Sequence, residues 1–420
     1  MRKTPEAGSA KMSTSIVIVG AGQTGAWIAR SVREAGFDGN ITLLGDEPHL
    51  PYERPPLSKA GMIGGESAFA PVFERDEYEK LNISFEPGKR VVAIQRHERQ
   101  VVCADGSQYL YDRLAIATGG RARRPAFPGS DMPGVMTLRT LEDATAISER
   151  LTEGGHALVI GGGWIGLEMA AAARQRGMSV TVLEAADRLC ARSLPAFMSD
   201  YLLSAHVKEG VDVRTKTSLE RIDAADDGRL IATLTNGDQL EPADLVVIGV
   251  GLIPNVELAL EAGLHVNDGI VVDETGATSD PAIFAAGDVA SIPFSWRENR
   301  LRLESWANAQ NHGIAVGRAI AGESVKYDDL PWFWSDQYDM NIQMVGLFVP
   351  GLQEIVRGDP ATRRFTLFQV DGSRIVAAAS VNAARDLKRT RQIIKDGKTV
   401  NVPALADSTV PLERACIADS

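Results

Sequence analysis

Two six-residue turns carry the residue types for one kind of chemistry. They are Gly20-Ala21-Gly22-Gln23-Thr24-Gly25 and Gly161-Gly162-Gly163-Trp164-Ile165-Gly166. The first glycine of such a turn permits a tight strand-to-helix reversal. The second lets a pyrophosphate approach the backbone, and the third lets the helix pack closely on the strand. The phosphate then lies at a helix N-terminus, where free N–H groups and the dipole favour an anion. An acid stands downstream of each turn, Asp46 or Glu47 in the first case and Glu184 in the second. Such an acid accepts hydrogen bonds from ribose hydroxyls. The chemistry implied is dinucleotide binding at two separate sites. Glu184 suits a 2′-hydroxyl and repels a 2′-phosphate. Arg188 and Arg192 follow it only four and eight places on, so NADH is favoured over NADPH.

The elements that must hold these turns are legible around them. The apolar run Ile16–Val19 predicts a buried parallel strand, Ala26–Ala35 a helix stopped by Gly36, and Ile41–Leu44 the next strand. Ala157–Ile160, Leu167–Arg176 with Gly177, and Val180–Leu183 repeat the layout. Gly20 and Gly161 are 141 positions apart, and so are Gly36 and Gly177, so the repeat stays in register over the strand–turn–helix unit. Two more short apolar strands enter turns, at Leu114–Ala117 before Thr118-Gly119-Gly120 and at Ile283–Ala286 before Gly287-Asp288. From Tyr327 the texture changes to clustered aromatics and β-type segments, Arg364–Val370 and Arg374–Ser380, which predicts a separate C-terminal α+β domain.

The whole chain bounds these readings. Its 420 residues suit two or three domains. A net charge of −11 opposes nonspecific nucleic-acid binding, which needs cationic surface. No stretch approaches the roughly 20 apolar residues of a membrane span. The polar segment 1–12 is expected to be a disordered extension without the apolar run of a signal peptide. Cys103, Cys190 and Cys416 are far apart and form no C-x-x-C, so neither a disulfide framework nor a zinc site is expected, and a reducing cytoplasmic setting fits. The six histidines show no metal-ligand spacing and read as surface or core-edge residues.

The ordered set Gly20–Gly25, Pro51-Tyr52-Glu53-Arg54-Pro55-Pro56-Leu57-Ser58-Lys59, Ala117–Gly120, Leu138–Ala144, Gly161–Glu168, Ala286-Gly287-Asp288 and Pro331-Trp332-Phe333-Trp334-Ser335-Asp336-Gln337-Tyr338 resembles the ferredoxin reductases of bacterial oxygenase systems, the putidaredoxin-reductase and Rieske-dioxygenase-reductase family. The resemblance runs from about Ser13 to the C-terminus. It implies an α/β, glutathione-reductase-like fold: two Rossmann-type dinucleotide-binding domains plus a C-terminal α+β domain over the flavin. The FAD-binding domain would be split between 13–120 and 252–326. The NAD-binding domain would occupy 121–251 and the C-terminal domain 327–420. FAD contacts carried over are Gly20, Gly22, Thr24, Gly25, Asp46 or Glu47, Lys59, Val91, Thr118, Gly119, Arg139, Asp288 and Trp306. NADH contacts are Gly161, Gly163, Ile165, Gly166, Glu184, Arg192 and Gly251, with Glu168 near the nicotinamide. Trp164 replaces the tyrosine often found at its position.

The resemblance implies NADH as hydride donor to FAD, with Lys59 and Glu168 as the catalytic side chains and a 2Fe–2S ferredoxin as one-electron acceptor. On residue type alone, Lys59 reads as an exposed lysine closing a Pro-rich loop, Asp288 as a turn residue, and Trp306 and Trp334 as core aromatics. No cysteine lies between Glu47 and Ala70, where disulfide reductases and flavin peroxidases of this fold need a thiolate, so electrons are expected to leave the flavin directly. The rivals are a rubredoxin reductase, an NADH oxidase and an apoptosis-inducing-factor-like binding flavoprotein. An acidic ferredoxin, bound transiently by a monomer or weak homodimer, would need a basic face. The candidates are Arg297/Arg300/Arg302 and Arg385/Lys388/Arg389/Arg391.

Overall fold

The computed structural model describes residues 14–63 and 69–417. The expected extension at 1–12 lies outside the described residues. The two copies of the strand–turn–helix repeat match each other residue for residue, Ser15–Val19 with His156–Ile160 and the helix Gln23–Glu34 with Trp164–Gln175, but each helix begins three residues earlier than expected, inside its glycine turn.

Each copy sits at the centre of its own five-stranded parallel sheet. The first sheet has the order Ile283–Ala285, Arg113–Ile116, Ser15–Val19, Asn40–Leu44, Ile83–Glu86. Its outer strand comes from beyond residue 280, so this sheet is split in sequence around the second. The second has the order Val211–Arg214, Ser179–Leu183, His156–Ile160, Leu245–Ile248, Val135–Thr137. In both sheets the strand order reverses beside the glycine turn, which opens the crevice where open α/β sheets bind ligands. The central strands, such as Ser15–Val19 and Leu245–Ile248, are buried on both faces, which explains why they read as unbroken apolar runs.

The C-terminal sheet is antiparallel, with Trp332–Gln337 on its edge next to Met340–Gly346, then Arg374–Val381, Arg364–Asp371 and Gln353–Asp359. Alternation along its strands divides two cores. Met340, Ile342, Met344, Phe365 and Leu367 pack against Leu167 and the helix Ala196–Lys208, through Met198 and Leu202. Val345, Phe368 and Val370 face the other way, onto Leu387 and Ile393 of the helix Ala384–Lys395. The sheet is thereby seated on the second nucleotide unit, with its edge strand turned toward the first. Among the described residues no helix is long and apolar enough to cross a membrane.

Candidate functional site

The two glycine turns are built alike. Gly20 (φ +110°) and Gly161 (φ +107°) occupy backbone conformations that L side chains rarely adopt. A Cβ at Gly20 would lie 2.3 Å from the Ala117 carbonyl oxygen, and one at Gly161 would lie 2.6 Å from that of Gly249. The turn after the central strand therefore abuts the turn after its neighbour, which brings Thr118-Gly119 and Gly251 to the two crevices. Gly25 and Gly166 are equally constrained, with Cβ positions 1.9 and 2.0 Å from the Gly20 and Gly161 oxygens. Gly22 and Gly163 differ. A Cβ on Gly22 meets nothing within 4 Å, and one on Gly163 meets only the Gly249 oxygen at 3.7 Å. Both are N-cap residues without a side-chain cap, and neither helix has an acid in its first turn. By contrast Thr140 and Ser305 cap their helices with side-chain oxygens. Two helix N-termini thus present free N–H groups over open glycines, the arrangement that holds a phosphate.

Around the first turn, residues remote in sequence converge. A Cβ on Gly287 (φ +76°) would lie 2.2 Å from Thr24 Oγ1, and one on Gly119 would lie 3.4 Å from Arg139 Nη2. Arg139 Nη2 pairs with Asp288 Oδ2 at 3.4 Å. Burial pushes the Asp288 carboxyl up, and burial with the nearby Arg54 charge pushes the Arg139 guanidinium down. Buried Val91 packs in the core with Val19 and Leu44. At the end of the second strand the two candidate acids separate. Glu47 accepts from Tyr52 OH at 2.6 Å and Arg54 Nη2 at 2.8 Å, whereas Asp46 is exposed. Arg54 also donates to the Arg139 carbonyl, and Tyr52 OH accepts from Leu141 N at 3.1 Å. Tyr52 and Arg54 belong to the Pro-Tyr-Glu-Arg-Pro-Pro motif, and only their contacts across the fold mark them as site residues.

Lys59 joins the two nucleotide units. Its Nζ lies 2.9 Å from Glu168 Oε1, with the Glu168 side chain 2% exposed. Glu168 also accepts from Ser58 Oγ and, at 2.6 Å, from Ser335 Oγ of the C-terminal edge strand. Lys59 Nζ is 5.9 Å from the Trp334 ring centroid; Trp334 meets Trp306 edge-on at 5.7 Å and stacks on Trp332 at 5.2 Å. Four buried polar atoms have no partner among the described residues: both amide atoms of Gln23 in the first glycine turn, Arg139 Nε and Trp306 Nε1. Orphaned donors beside an open glycine cradle and a buried carboxyl suit a large polar ligand with an anionic centre. The residues present therefore fit FAD.

The second turn lines a cavity of about 620 Å³ with Gly161, Gly163, Trp164, Glu184, Cys190 and Arg192. Glu184 accepts from Gly162 N and Ala186 N, each at 2.7 Å, which fixes the carboxylate in the cavity wall. Arg188 is turned away: it donates to Ser199 Oγ at 2.9 Å and the Ala191 carbonyl at 2.8 Å. Among the described residues Arg192 is the one cationic side chain in the lining, and its Nη2 would lie 3.2 Å from a Cβ on Gly251. Ile165 is exposed and is not among the residues that line this cavity. Trp164 Nε1 donates to Ser193 Oγ at 3.1 Å, and its ring tilts on Phe333 at 5.0 Å. All three cysteines are free, and burial pushes the Cys190 thiol up.

Two histidines depart from the surface or core-edge reading. His206 and His312 are both 0% exposed. His312 stacks on Tyr327 and accepts from Gly287 N at 3.2 Å, so it braces the turn that carries Asp288. Burial depresses its pKa to about 3. An unfolded chain takes the proton near pH 6.5 and the folded one does not, so the stability present above pH 6.5 is lost as pH falls from 6.5 toward 3. Acidification from pH 6.5 to 4.5 should therefore cost the native protein about 2 kcal/mol more than it costs His312→Gln. Denaturant titration at the two pH values checks this, and equal losses would refute it.

Comparisons with known proteins agree with the geometry. Residues 14–313 match the family described as pyridine nucleotide-disulphide oxidoreductase, and residues 332–416 match the reductase C-terminal family. The chain is similar to rhodocoxin reductase of Rhodococcus erythropolis, at 41% identity over 96% of this chain and 94% of that one. It is similar to the ferredoxin–NAD(+) reductase component of the p-cumate 2,3-dioxygenase system of Pseudomonas putida, at 41% identity over 96% and 99%. Among solved structures it resembles the reductase in a covalent putidaredoxin reductase–putidaredoxin complex, with a TM-score of 0.90 at 38% identity over 96% and 98%.

Proposed function

The chain belongs to the pyridine nucleotide-disulphide oxidoreductases, and within them to the ferredoxin reductases of bacterial oxygenase systems; on that footing we propose that it transfers electrons from NADH through FAD to an acidic 2Fe–2S ferredoxin. The observation that carries the reading is the Lys59–Glu168 pair, which joins the two units that carry the uncapped glycine-turn helices, with no cysteine where a disulfide reductase would place one.

FAD, when bound, supplies the redox chemistry: it would accept one hydride, which carries two electrons, and release those electrons singly. The chain's residues hold and tune. Gly20, Gly22, Thr24 and Gly25 seat the pyrophosphate, and Asp46, left free by the engagement of Glu47, takes the ribose. Thr118, Gly119, Arg139 and Asp288 line the path along the ribityl chain. Lys59 sets a fixed positive charge where the isoalloxazine gains electrons. Trp306 and Trp334 exclude water there. Gly161, Gly163, Ile165, Gly166, Arg192 and Gly251 hold NADH, with Glu184 on its ribose. Residues 13–120 with 252–326 form the FAD domain, 121–251 the NAD domain, and 327–420 the C-terminal domain of a cytoplasmic monomer or weak homodimer.

The ferredoxin docks on the helix Ala384–Lys395. Arg385 and Lys388 are exposed there with no ion-pair partner among the described residues, while Arg389 pairs with Glu413 and Arg391 with Asp329. The other basic cluster is largely spent internally: Arg300 donates to Val272 and Ser291 carbonyls, and Arg302 pairs with Asp268 and Glu304. The test is to purify the protein, record its visible spectrum, and follow NADH and NADPH oxidation with several ferredoxins. A yellow protein reducing a ferredoxin from NADH is expected. A colourless protein that does not oxidise NADH would end the reading, and fast turnover with oxygen alone would replace it with an oxidase. Glu184→Ala should reduce the preference for NADH over NADPH about tenfold or more, read as a ratio of kcat/KM values; an unchanged ratio would show that another residue reads the ribose.

A further inference from the structure

Glu168 is the end of a longer buried chain of hydrogen bonds. Ser335 Oγ donates to Glu168 Oε1 at 2.6 Å, Gln337 Nε2 donates to Ser335 Oγ at 3.0 Å, His206 Nε2 lies 2.9 Å from Gln337 Oε1, and Tyr338 OH lies 3.0 Å from His206 Nδ1. Glu168, Ser335, Gln337 and His206 are all 3% exposed or less. The chain crosses every part of the fold. Lys59 comes from the first nucleotide unit, Glu168 and His206 from the second, and Ser335, Gln337 and Tyr338 from the C-terminal edge strand and its turn.

The polarity of this chain is forced from one end. A carboxylate only accepts, so the Ser335 hydroxyl must donate its hydrogen bond to Glu168. The Ser335 oxygen must then accept, which turns the Gln337 NH₂ toward it and the Gln337 carbonyl toward His206. His206 must therefore donate from Nε2. Burial disfavours its second proton, so Nδ1 stays bare and accepts from Tyr338 OH. Tyr338 lies in the left-handed region (φ +56°) in the two-residue turn between the paired residues Gln337 and Met340, and its hydroxyl reaches the ring. Every donor points toward Glu168, and aligned bonds of this kind reinforce one another.

We propose that His206 is a positioning residue for the flavin reaction: through Gln337 and Ser335 it fixes the donor side of a hydrogen bond on Glu168, and so sets how much of the Lys59 charge is left for the isoalloxazine. Without the His206 N–H, the Gln337 amide is free to turn over, so that its carbonyl accepts the Ser335 hydrogen bond in place of Glu168. Glu168 then loses a donor and compensates Lys59 more fully, which weakens the electrostatic support for flavin reduction.

The inference rests on the flavin reading of the site, and its test uses the flavin-loaded full chain. The readout is the two-electron midpoint from a dye-equilibrated reductive titration. His206→Leu should lower the equilibrium constant for reduction about three- to tenfold, which is about 14 to 30 mV at 29.6 mV per tenfold. His206→Gln keeps a donor and an acceptor and should restore the midpoint. Ser335→Ala should produce a similar shift, and His206→Leu should add nothing in that background, because the chain is already cut. A His206→Leu shift that persists in full beside Ser335→Ala, or a folded His206→Leu protein with an unmoved midpoint, would overturn the proposal. If His206→Leu fails to fold, Ser335→Ala carries the test, and an unchanged midpoint there would sink it. A chain that takes up no flavin would overturn the site reading itself, together with this inference.

Discussion

Replacing Lys59 with Met should slow reduction of the bound flavin by NADH about a hundredfold or more, the usual cost of removing one preorganised charge from a site where charge develops. Methionine keeps the length of the apolar stem, so the loss is of charge rather than of packing. A second effect accompanies it. Glu168 is almost fully buried and would keep only the Ser58 and Ser335 hydroxyls as partners. Leaving a buried carboxylate without its cation typically costs about 3 kcal/mol or more. The two effects separate in the double variant. Glu168→Gln removes the orphaned charge, so Lys59→Met/Glu168→Gln should recover most of the lost stability in denaturant titration. It should recover little of the rate in stopped-flow reduction, because the positive charge is still missing. A Lys59→Met protein reduced within threefold of the native rate would show that Lys59 is structural only.

The Lys59–Glu168 pair also marks the limit of what could be read without coordinates. Both residues stand out within family motifs, yet nothing in their own segments says that they touch. They are 109 positions apart, and the Ser335 hydroxyl on the same carboxylate is 167 from it. Such contacts depend on how three units dock, whereas the glycine turns are local. Strand, turn and helix there follow from apolar runs, backbone freedom and a stopping glycine, all within about 30 residues. This is why the repeat was legible in register and the polar chain behind it was not. Arg300 and Arg302 illustrate the same point from the surface side. Clustered charge in sequence suggested a docking face, but folding directs those side chains onto Val272, Ser291 and nearby acids. Glu47 and Asp46 are adjacent and alike in type, and only the fold, by committing Glu47 to Tyr52 and Arg54, leaves Asp46 free.

The sharpest separation of the two glycine turns comes from adding one methyl group to each. Gly22→Ala should leave the stability of the apoprotein within about 0.5 kcal/mol of native, because the new Cβ meets nothing within 4 Å and the backbone there is extended (φ −96°). The methyl instead occupies the space a pyrophosphate needs, and FAD affinity should fall about a hundredfold, roughly 3 kcal/mol. Gly163→Ala should mirror it at the other site: its nearest protein neighbour is 3.7 Å away, so flavin content should stay native while the KM for NADH rises about tenfold or more. Gly25→Ala is the contrast that identifies the mechanism. Its Cβ would sit 1.9 Å from the Gly20 carbonyl oxygen, backbone that cannot give way, so the fold should be destabilised before any ligand is added. Flavin content by absorbance, NADH kinetics and apoprotein unfolding together distinguish the three variants. If Gly163→Ala shed flavin, or Gly22→Ala kept it and lost only NADH, the two nucleotides would have to exchange sites.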